Sequence, residues 1–400
     1  LAGIIKDIVP RYQTMRGKYV ERRFGWDTHG LPIEALAQDA LGVAGAPEIK
    51  ALGVDKFNEQ CRSIVLRYTE QWKKAITRTG RWVDFDNGYR TMDKNYMESV
   101  WWSFKELYNK GLIYEGYNVL PYSPKLASPL SNMEVNLGGY KDVTDPAVTV
   151  RFAADGEEST YFLAWTTTPW TLPSNTALCV GPKIDYVAVR TYNGYTGEKI
   201  TAVLAEPLLY THFNKKAEGL ALDSYKAGDK LIPFEVVGRW KGPELEGMHY
   251  EQLLPWVKPV KADEKGNWKE ASSKAFRVIL GDYVTVEDGT GIVHIAPTFG
   301  ADDAFVARQA GIPSLFMINK RGETRPMVDF SGKFYLEADL DEAFREACVA
   351  ASYKEYEGRY VKNAYDPQFT VDGHYDEKAA AAAENLDIYI SIKLKESNKV

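Results

Sequence analysis

The texture of the chain changes at Asp145-Pro146, and that change limits what the chain can fold into. Before it, apolar residues recur at helical spacing. Between 55 and 79 they fall at Phe57, Cys61, Ile64, Val65, Tyr68, Trp72 and Ile76, one face of a single helix with Asp55 as its cap and Gly80 as its stop. A second helix is predicted from Asp93 to Lys110, with Met97, Val100, Trp101, Phe104 and Leu107 facing inward and Gly111 closing it. After the change come short apolar runs, A-V-T-V-R-F, Y-F-L-A-W, D-Y-V-A-V-R, K-I-T-A-V-L-A, F-R-V-I-L and G-I-V-H-I-A, separated by Gly, Pro, Asn and Asp. Those are strands and their turns. Helices interrupt them at 302–310, at 339–353 and in the alanine run 379–383, and the closing I-Y-I-S-I-K-L-K is strand-like. The predicted class is mixed α/β: a helical first third, then a compact β-rich domain with peripheral helices, without internal repeats.

At 400 residues the chain exceeds the usual size of one core and should hold two or more domains. Hydrophobic residues at 45% and charged residues at 26% exclude a disordered or fibrous chain. No apolar run approaches the ~20 residues of a membrane-spanning helix, and the opening L-A-G-I-I-K-D-I-V-P is no signal peptide, so the expected address is cytoplasmic. Cys61, Cys179 and Cys348 are too few and too scattered for a disulfide framework or zinc site, which leaves reduced core thiols. A net charge of −6 argues against diffuse attraction to nucleic acid, because that attraction comes from Lys and Arg on phosphates. Any such contact has to be local, at Arg11, Arg16, Lys18, Arg22 and Arg23 or at Lys215 and Lys216, although such clusters are often simply solvated.

The chain lacks G-x-G-x-x-G, G-x-x-x-x-G-K-[ST], H-E-x-x-H, paired C-x-x-C and G-x-S-x-G, so nothing in it suggests a metal or a dinucleotide. Two other stretches carry chemistry. In W-T-T-T-P-W-T-L-P-S-N, from 165 to 175, Pro169 and Pro173 end a strand and leave Thr166, Thr167, Thr168 and Thr171 at its mouth. Small hydroxyl side chains there either bind a ligand and limit its size, or are ordinary strand residues. In G-T-G-I-V-H-I-A-P-T-F-G-A-D-D, from 289 to 303, Asp302 and Asp303 open a helix. Either can cap it, and a carboxylate at the positive helix end is expected to stay ionised and able to hold an ammonium group. His294 lies in a strand, its side chain opposite Val293 and Ile295, as a core residue or as part of a site with the aspartates.

Both stretches resemble the editing site of the isoleucyl-tRNA synthetase family of class I aminoacyl-tRNA synthetases. A third, F-G-W-D-T-H-G-L-P-I-E at 24–34, resembles part of that family's aminoacylation site. Valyl relatives tend to read G-x-D-H-A-G there and leucyl ones G-W-D-A-F-G-L-P-A-E, so the isoleucyl form fits best. The resemblance implies that residues 1–45 are part of an incomplete Rossmann-type catalytic domain, 46–144 its helical connecting segment, and 145–395 a barrel-like editing (CP1) domain inserted into it. It implies that Thr166, Thr167, Thr168 and Asn175 line the editing pocket with Trp170 and Asp302 nearby. His294 then orients the terminal ribose, and Asp303 grips the amino acid's ammonium. Gly25, Asp27 and His29 match residues that hold the amino acid and its adenylate. Where many bacterial relatives carry G-H-G, this chain has Thr298-Phe299-Gly300, so a second imidazole is lacking.

The family's H-x-G-H and K-M-S-K-S strings are not in this sequence. The chain therefore reads as an internal fragment, expected to need no cofactor and to act as a deacylase rather than to make aminoacyl-tRNA. The resemblance implies that the longer enzyme uses ATP and Mg. The implied partners are the acceptor end of tRNA(Ile), valine as the edited amino acid, and isoleucine in the longer enzyme, with a monomer as the implied state. Two other readings stay open: a valyl-type editor that removes threonine, and a non-catalytic module that holds the tRNA acceptor end.

Overall fold

The computed structural model describes residues 2–124, 128–136, 142–262, 268–371 and 374–400. They form two compact units, 1–117 with 125–128 and 118–124 with 129–400.

The first unit pairs two parallel strands, β1 (Arg23–Trp26) and β2 (Asp84–Arg90), among helices. Gly25 stands opposite Tyr89, and a Cβ on it would lie 2.4 Å from the Tyr89 ring, so glycine is what admits the ring. The helix predicted over 55–79 is two, Val54–Val65 and Thr69–Arg78. It breaks where the Thr69 hydroxyl and amide both turn back to the Leu66 carbonyl, at 3.0 and 3.3 Å. Asp55 sits inside the first turn, and Gly53 takes the cap position. The helix Lys94–Asn109 forms as predicted, but its apolar face is not turned inward: Trp101 is 72% and Phe104 57% exposed. Helical spacing makes a face apolar without specifying what covers it.

The second unit carries the cores. A five-stranded sheet is built from β3 (Val148–Ala153), β4 (Thr160–Thr166), β6 (Asp185–Tyr192), β7 (Lys199–Ala205) and β8 (Glu235–Lys241), and β5 (Ala177–Val180) lies between β9 (Arg277–Leu280) and β10 (Ile292–Ile295) in a separate three-stranded sheet. In the larger sheet the order is β8-β6-β7-β4-β3, with β4 and β7 parallel and the other pairs antiparallel. In the smaller, β9 runs parallel and β10 antiparallel to β5. Strand β5 is buried on both faces. Its Leu178 and Val180 join the main core with Phe152, Phe162 and Tyr250, and its Ala177 and Cys179 join a smaller one with Ile295 and Val306. Each fully buried aliphatic or Phe side chain stabilises the fold by about 1.5–3 kcal/mol.

The closing stretch is a helix, Leu386–Glu396, not a strand. Its apolar residues fit both periods, since Ile388, Ile390, Ile392 and Leu394 alternate while Leu386, Ile390 and Leu394 recur every fourth residue. Two things decide for the helix. Asn385 Oδ1 accepts from the Ile388 amide at 2.8 Å as a cap, and burying Leu386, Ile390 and Leu394 leaves Ile388 and Ile392 outside. The helix predicted over 339–353 shortens to Glu342–Cys348, started by the Asp341 side chain and flanked by 3₁₀ turns. The alanine run is helical from Glu377 to Ala382 behind an Asp376 cap. Cys179 and Cys348 are buried free thiols, whereas Cys61 is half-buried. Among the described residues no helix is long and apolar enough to cross a membrane.

Candidate active site

Strand β4 ends at Thr166, and Pro169 forces the chain into a 3₁₀ helix, Pro169–Ser174. Hydroxyls hold this turn: the Thr168 amide donates to Thr166 Oγ1 at 3.1 Å, and Thr171 Oγ1 donates to the Thr168 carbonyl at 2.8 Å. Thr166 is buried, Thr168 half-buried and Thr167 exposed. The turn is also fixed from behind. The Trp170 amide donates to Asp387 Oδ1 at 2.8 Å, and Asp387 pairs with Lys362 at 2.7 Å.

His294 pairs with Leu178 across β10 and β5, and its Nε2 lies 3.2 Å from Thr171 Oγ1. That hydroxyl has already given its one hydrogen to the Thr168 carbonyl, so it accepts from Nε2–H, which fixes the tautomer. Nδ1 is then a buried lone pair without a protein partner. Burial pushes the imidazole down to about 4, so it is neutral at pH 7.

Asp303 is the third residue of the helix Ala301–Gln309. Its carboxylate folds back and accepts from the Ala296 amide at 2.9 Å. Gly300 makes room, since a Cβ there would lie 2.7 Å from the carboxyl carbon of Asp303. The helix end was expected to favour the charged form. Instead, burial lifts the Asp303 carboxyl above its ordinary range and Asp302 adds to the lift, against the Ala296 hydrogen bond.

Thr166, Thr167, Thr168, His294 and Asp303, drawn from two distant segments, line one cleft of about 320 Å³. Three sequence-predicted residues are elsewhere. Asn175 is 2% exposed and spent on structure, its Nδ2 donating to the Ala177 carbonyl at 2.8 Å and its Oδ1 accepting from the Tyr250 hydroxyl at 2.6 Å. Trp170 faces another cleft, against Phe299. Asp302 is exposed on the helix's first turn.

Sequence reasoning missed Tyr283, Asp288 and the Gly289–Gly291 turn as further walls. The two glycines were a usable signal, for both hold positive φ (66° and 71°) and a Cβ on Gly291 would lie 2.3 Å from Ala205 Cβ. Tyr283 gave none, lying in an aperiodic loop where its hydroxyl is hydrogen-bonded to Cys179.

In the first unit, Gly25 lies in β1, and exposed Asp27 and His29 follow its end. His29 Nδ1 is 3.1 Å from Thr91 Oγ1, and Asp27 Oδ1 accepts from the His29 amide at 3.4 Å. Among the described residues no group of three or more His, Cys, Asp and Glu side chains is placed to hold a metal ion.

The strand-end hydroxyls and helix-end carboxylate around this cleft lie in a chain that belongs to the class I tRNA synthetases: the family model described as tRNA synthetases class I (I, L, M and V) matches residues 1–371. Similar curated relatives are the isoleucine–tRNA ligases of Bacteroides thetaiotaomicron, 58% identical across 100% of this chain and 35% of that protein, and of Porphyromonas gingivalis, 47% identical across 100% and 34%. The chain thus spans about a third of the length of the curated relatives it matches. Among solved structures it is similar to GlLeuRS-CP1, with 14% identity and a TM-score of 0.27 over 42% of this chain and 65% of that one. It is also similar to the P. knowlesi cytosolic leucyl-tRNA synthetase editing domain, at 14% and 0.28 over the same shares. Likeness that slight carries no weight beyond its statement.

Proposed function

We propose that this cleft hydrolyses the ester of a small amino acid wrongly attached to tRNA, valyl-tRNA(Ile) first of all. In this reading the longer protein joins isoleucine to tRNA(Ile) at the expense of ATP, with Mg in that step, and Gly25, Asp27 and His29 serve it. Residues 1–45 and 46–144 then belong to a Rossmann-type catalytic domain, and 145–395 form an inserted, barrel-like editing domain of a cytoplasmic monomer. Relatives named isoleucine–tRNA ligase support the reading. The observation that carries it is the meeting of the Asp303 carboxylate with the hydroxyls of Thr166, Thr167 and Thr168 in one cleft.

A second site is needed because isoleucine and valine, the standard example of such selection, differ by one methylene, worth ~1–3 kcal/mol in an apolar pocket. Here Asp303 anchors the substrate ammonium, and the paired charge offsets the burial that disfavours its ionised form. Thr166 and Thr168, joined at 3.3 Å between hydroxyls, crowd the side-chain end and orient the attacking water. Covalent attack by a threonine needs a base, and the imidazole that lines the cleft, His294, receives nothing from these hydroxyls and is too weak a base to take a proton at neutral pH. His294 acts as a positioner, holding the Thr171 hydroxyl through its Nε2–H, and the free hydroxyl of the terminal ribose relays the proton from water to the leaving oxygen.

Deacylation of valyl-tRNA(Ile) by the full chain and by Asp303→Ala tests the assignment. The variant should lose at least tenfold in kcat/KM, and equal rates would remove Asp303 from the role. Faster release of threonine than of valine would make the site a valyl-type editor, and binding without hydrolysis would reduce it to a holding module.

A further inference from the structure

Asp387 is the one Asp or Glu among the described residues that is fully buried, at 1% exposure. It stands in the first turn of the helix Leu386–Glu396, but the Asn385 side chain already caps that helix, so the carboxylate serves other elements. Its Oδ1 accepts from the Trp170 amide at 2.8 Å, and its Oδ2 accepts from Lys362 Nζ at 2.7 Å. The same ammonium reaches outward. It donates to Asp145 Oδ2 at 2.8 Å, and Asp145 lies on the segment that leads into β3 (Val148–Ala153). All three charged residues belong to the second unit.

The chain needs such an acceptor where it places one. The 3₁₀ helix Pro169–Ser174 begins without a side-chain cap of its own, and a helix start leaves amides with no partner inside the helix. Trp170 carries one of these donors, and its acceptor comes from 217 residues away. A carboxylate taken out of water to supply it has to be paired and hydrogen-bonded, which Lys362 accomplishes. Buried ion pairs are weak grounds for stability, because apolar replacements often do as well. What this one fixes is geometry.

We infer that Asp387 and Lys362 are positioning residues of the hydrolytic turn, and that the link to Asp145 makes the seating of that turn follow the segment leading into β3, a proposal that rests on the function above. Thr166, Thr167 and Thr168 directly precede Pro169 and Trp170, so an amide held at Trp170 sets where their hydroxyls stand against the attacking water. Asp303, on the helix Ala301–Gln309, keeps the ammonium independently. Grip on the substrate and alignment of water are therefore held from two sides, and slack in the Asp145–Lys362–Asp387 link costs turnover rather than binding.

Two measurements on the full chain test this: deuterium exchange of the Trp170 amide, and kcat and KM for deacylation of valyl-tRNA(Ile). Lys362→Met should speed that exchange about tenfold and lower kcat about as much with KM unchanged, and Lys362→Arg, which can still bridge both carboxylates, should restore both values. Asp145 is exposed, so Asp145→Asn folds even if Lys362→Met does not, and it should show the same effects at about threefold. Unchanged exchange in Asp145→Asn overturns the inference. So does faster exchange spread equally over β3 and β5, which would reduce the link to an ordinary stabilising contact, and so does faster exchange at Trp170 with kcat unmoved. The exchange arm requires no turnover. A change confined to the turn, in a chain that hydrolyses no valyl ester even unmutated, would keep the link and sink the hydrolytic reading alone.

Discussion

A histidine buried in a strand has to choose between charge and burial, and His294 gives up its charge. The unfolded chain takes up this proton near pH 6.5 and the folded chain only near 4. Between those values the unfolded state binds more protons, so acidification destabilises the fold, by about 3 kcal/mol once pH is below 4. His294→Gln should remove that part of the slope in denaturant titrations from pH 7 to 4, and an unchanged slope would deny the neutral, buried imidazole. The same shift means that deacylation should show no inflection near pH 6.5, where an ordinary imidazole base would produce one. In the proposed function Thr168 forms the other side of the sieve. With its carbonyl tied to Thr171 it cannot retreat, so Thr168→Phe should narrow the cleft and raise KM for valyl ester by about tenfold or more, and unimpaired hydrolysis would take it out of the wall.

At the scale of elements, the site depends on how a helix begins. The turn Ala296–Gly300 brings the Asp303 carboxylate back onto the Ala296 amide, and the missing side chain of Gly300 makes that approach possible. Gly300→Ala keeps an ordinary φ of −111° but puts a methyl 2.7 Å from the carboxyl carbon. Expected are a stability loss of about 1 kcal/mol, as for a weakened cap, and a KM for valyl ester raised about tenfold as the anchor shifts. A melt lowered with KM unchanged would show that Asp303 sits there only as a cap. Elements marked by strong local signals were legible in the sequence: the β-branched and aromatic runs of β3, β4, β6, β7, β9 and β10. The helix Leu386–Glu396 was not, because its leucines and isoleucines satisfy both periods and only burial separates them. Asn175, placed in the pocket by the resemblance, is instead engaged by Tyr250, 75 residues away, a contact that no local pattern announces.

Across the whole molecule, burial is unevenly divided. The first unit buries Ala37 and Phe57 as its only apolar core residues among those described, while the second holds the remaining buried apolar side chains. Sequence showed both as well-formed amphipathic or alternating patterns, since pattern reports which face is apolar and not whether anything packs on it. Local opening is governed by packing rather than by helical propensity. The amides of Lys94–Asn109 should therefore exchange with deuterium orders of magnitude faster than those of β5 and β6 in the 400-residue chain, despite a full set of helical hydrogen bonds. The proposed hydrolytic cleft lies wholly in the second unit, so mild heating that melts the first unit should leave deacylation of a short valyl-ended RNA intact. Joint loss of helical exchange protection and deacylation at one temperature would instead make the two units a single cooperative structure.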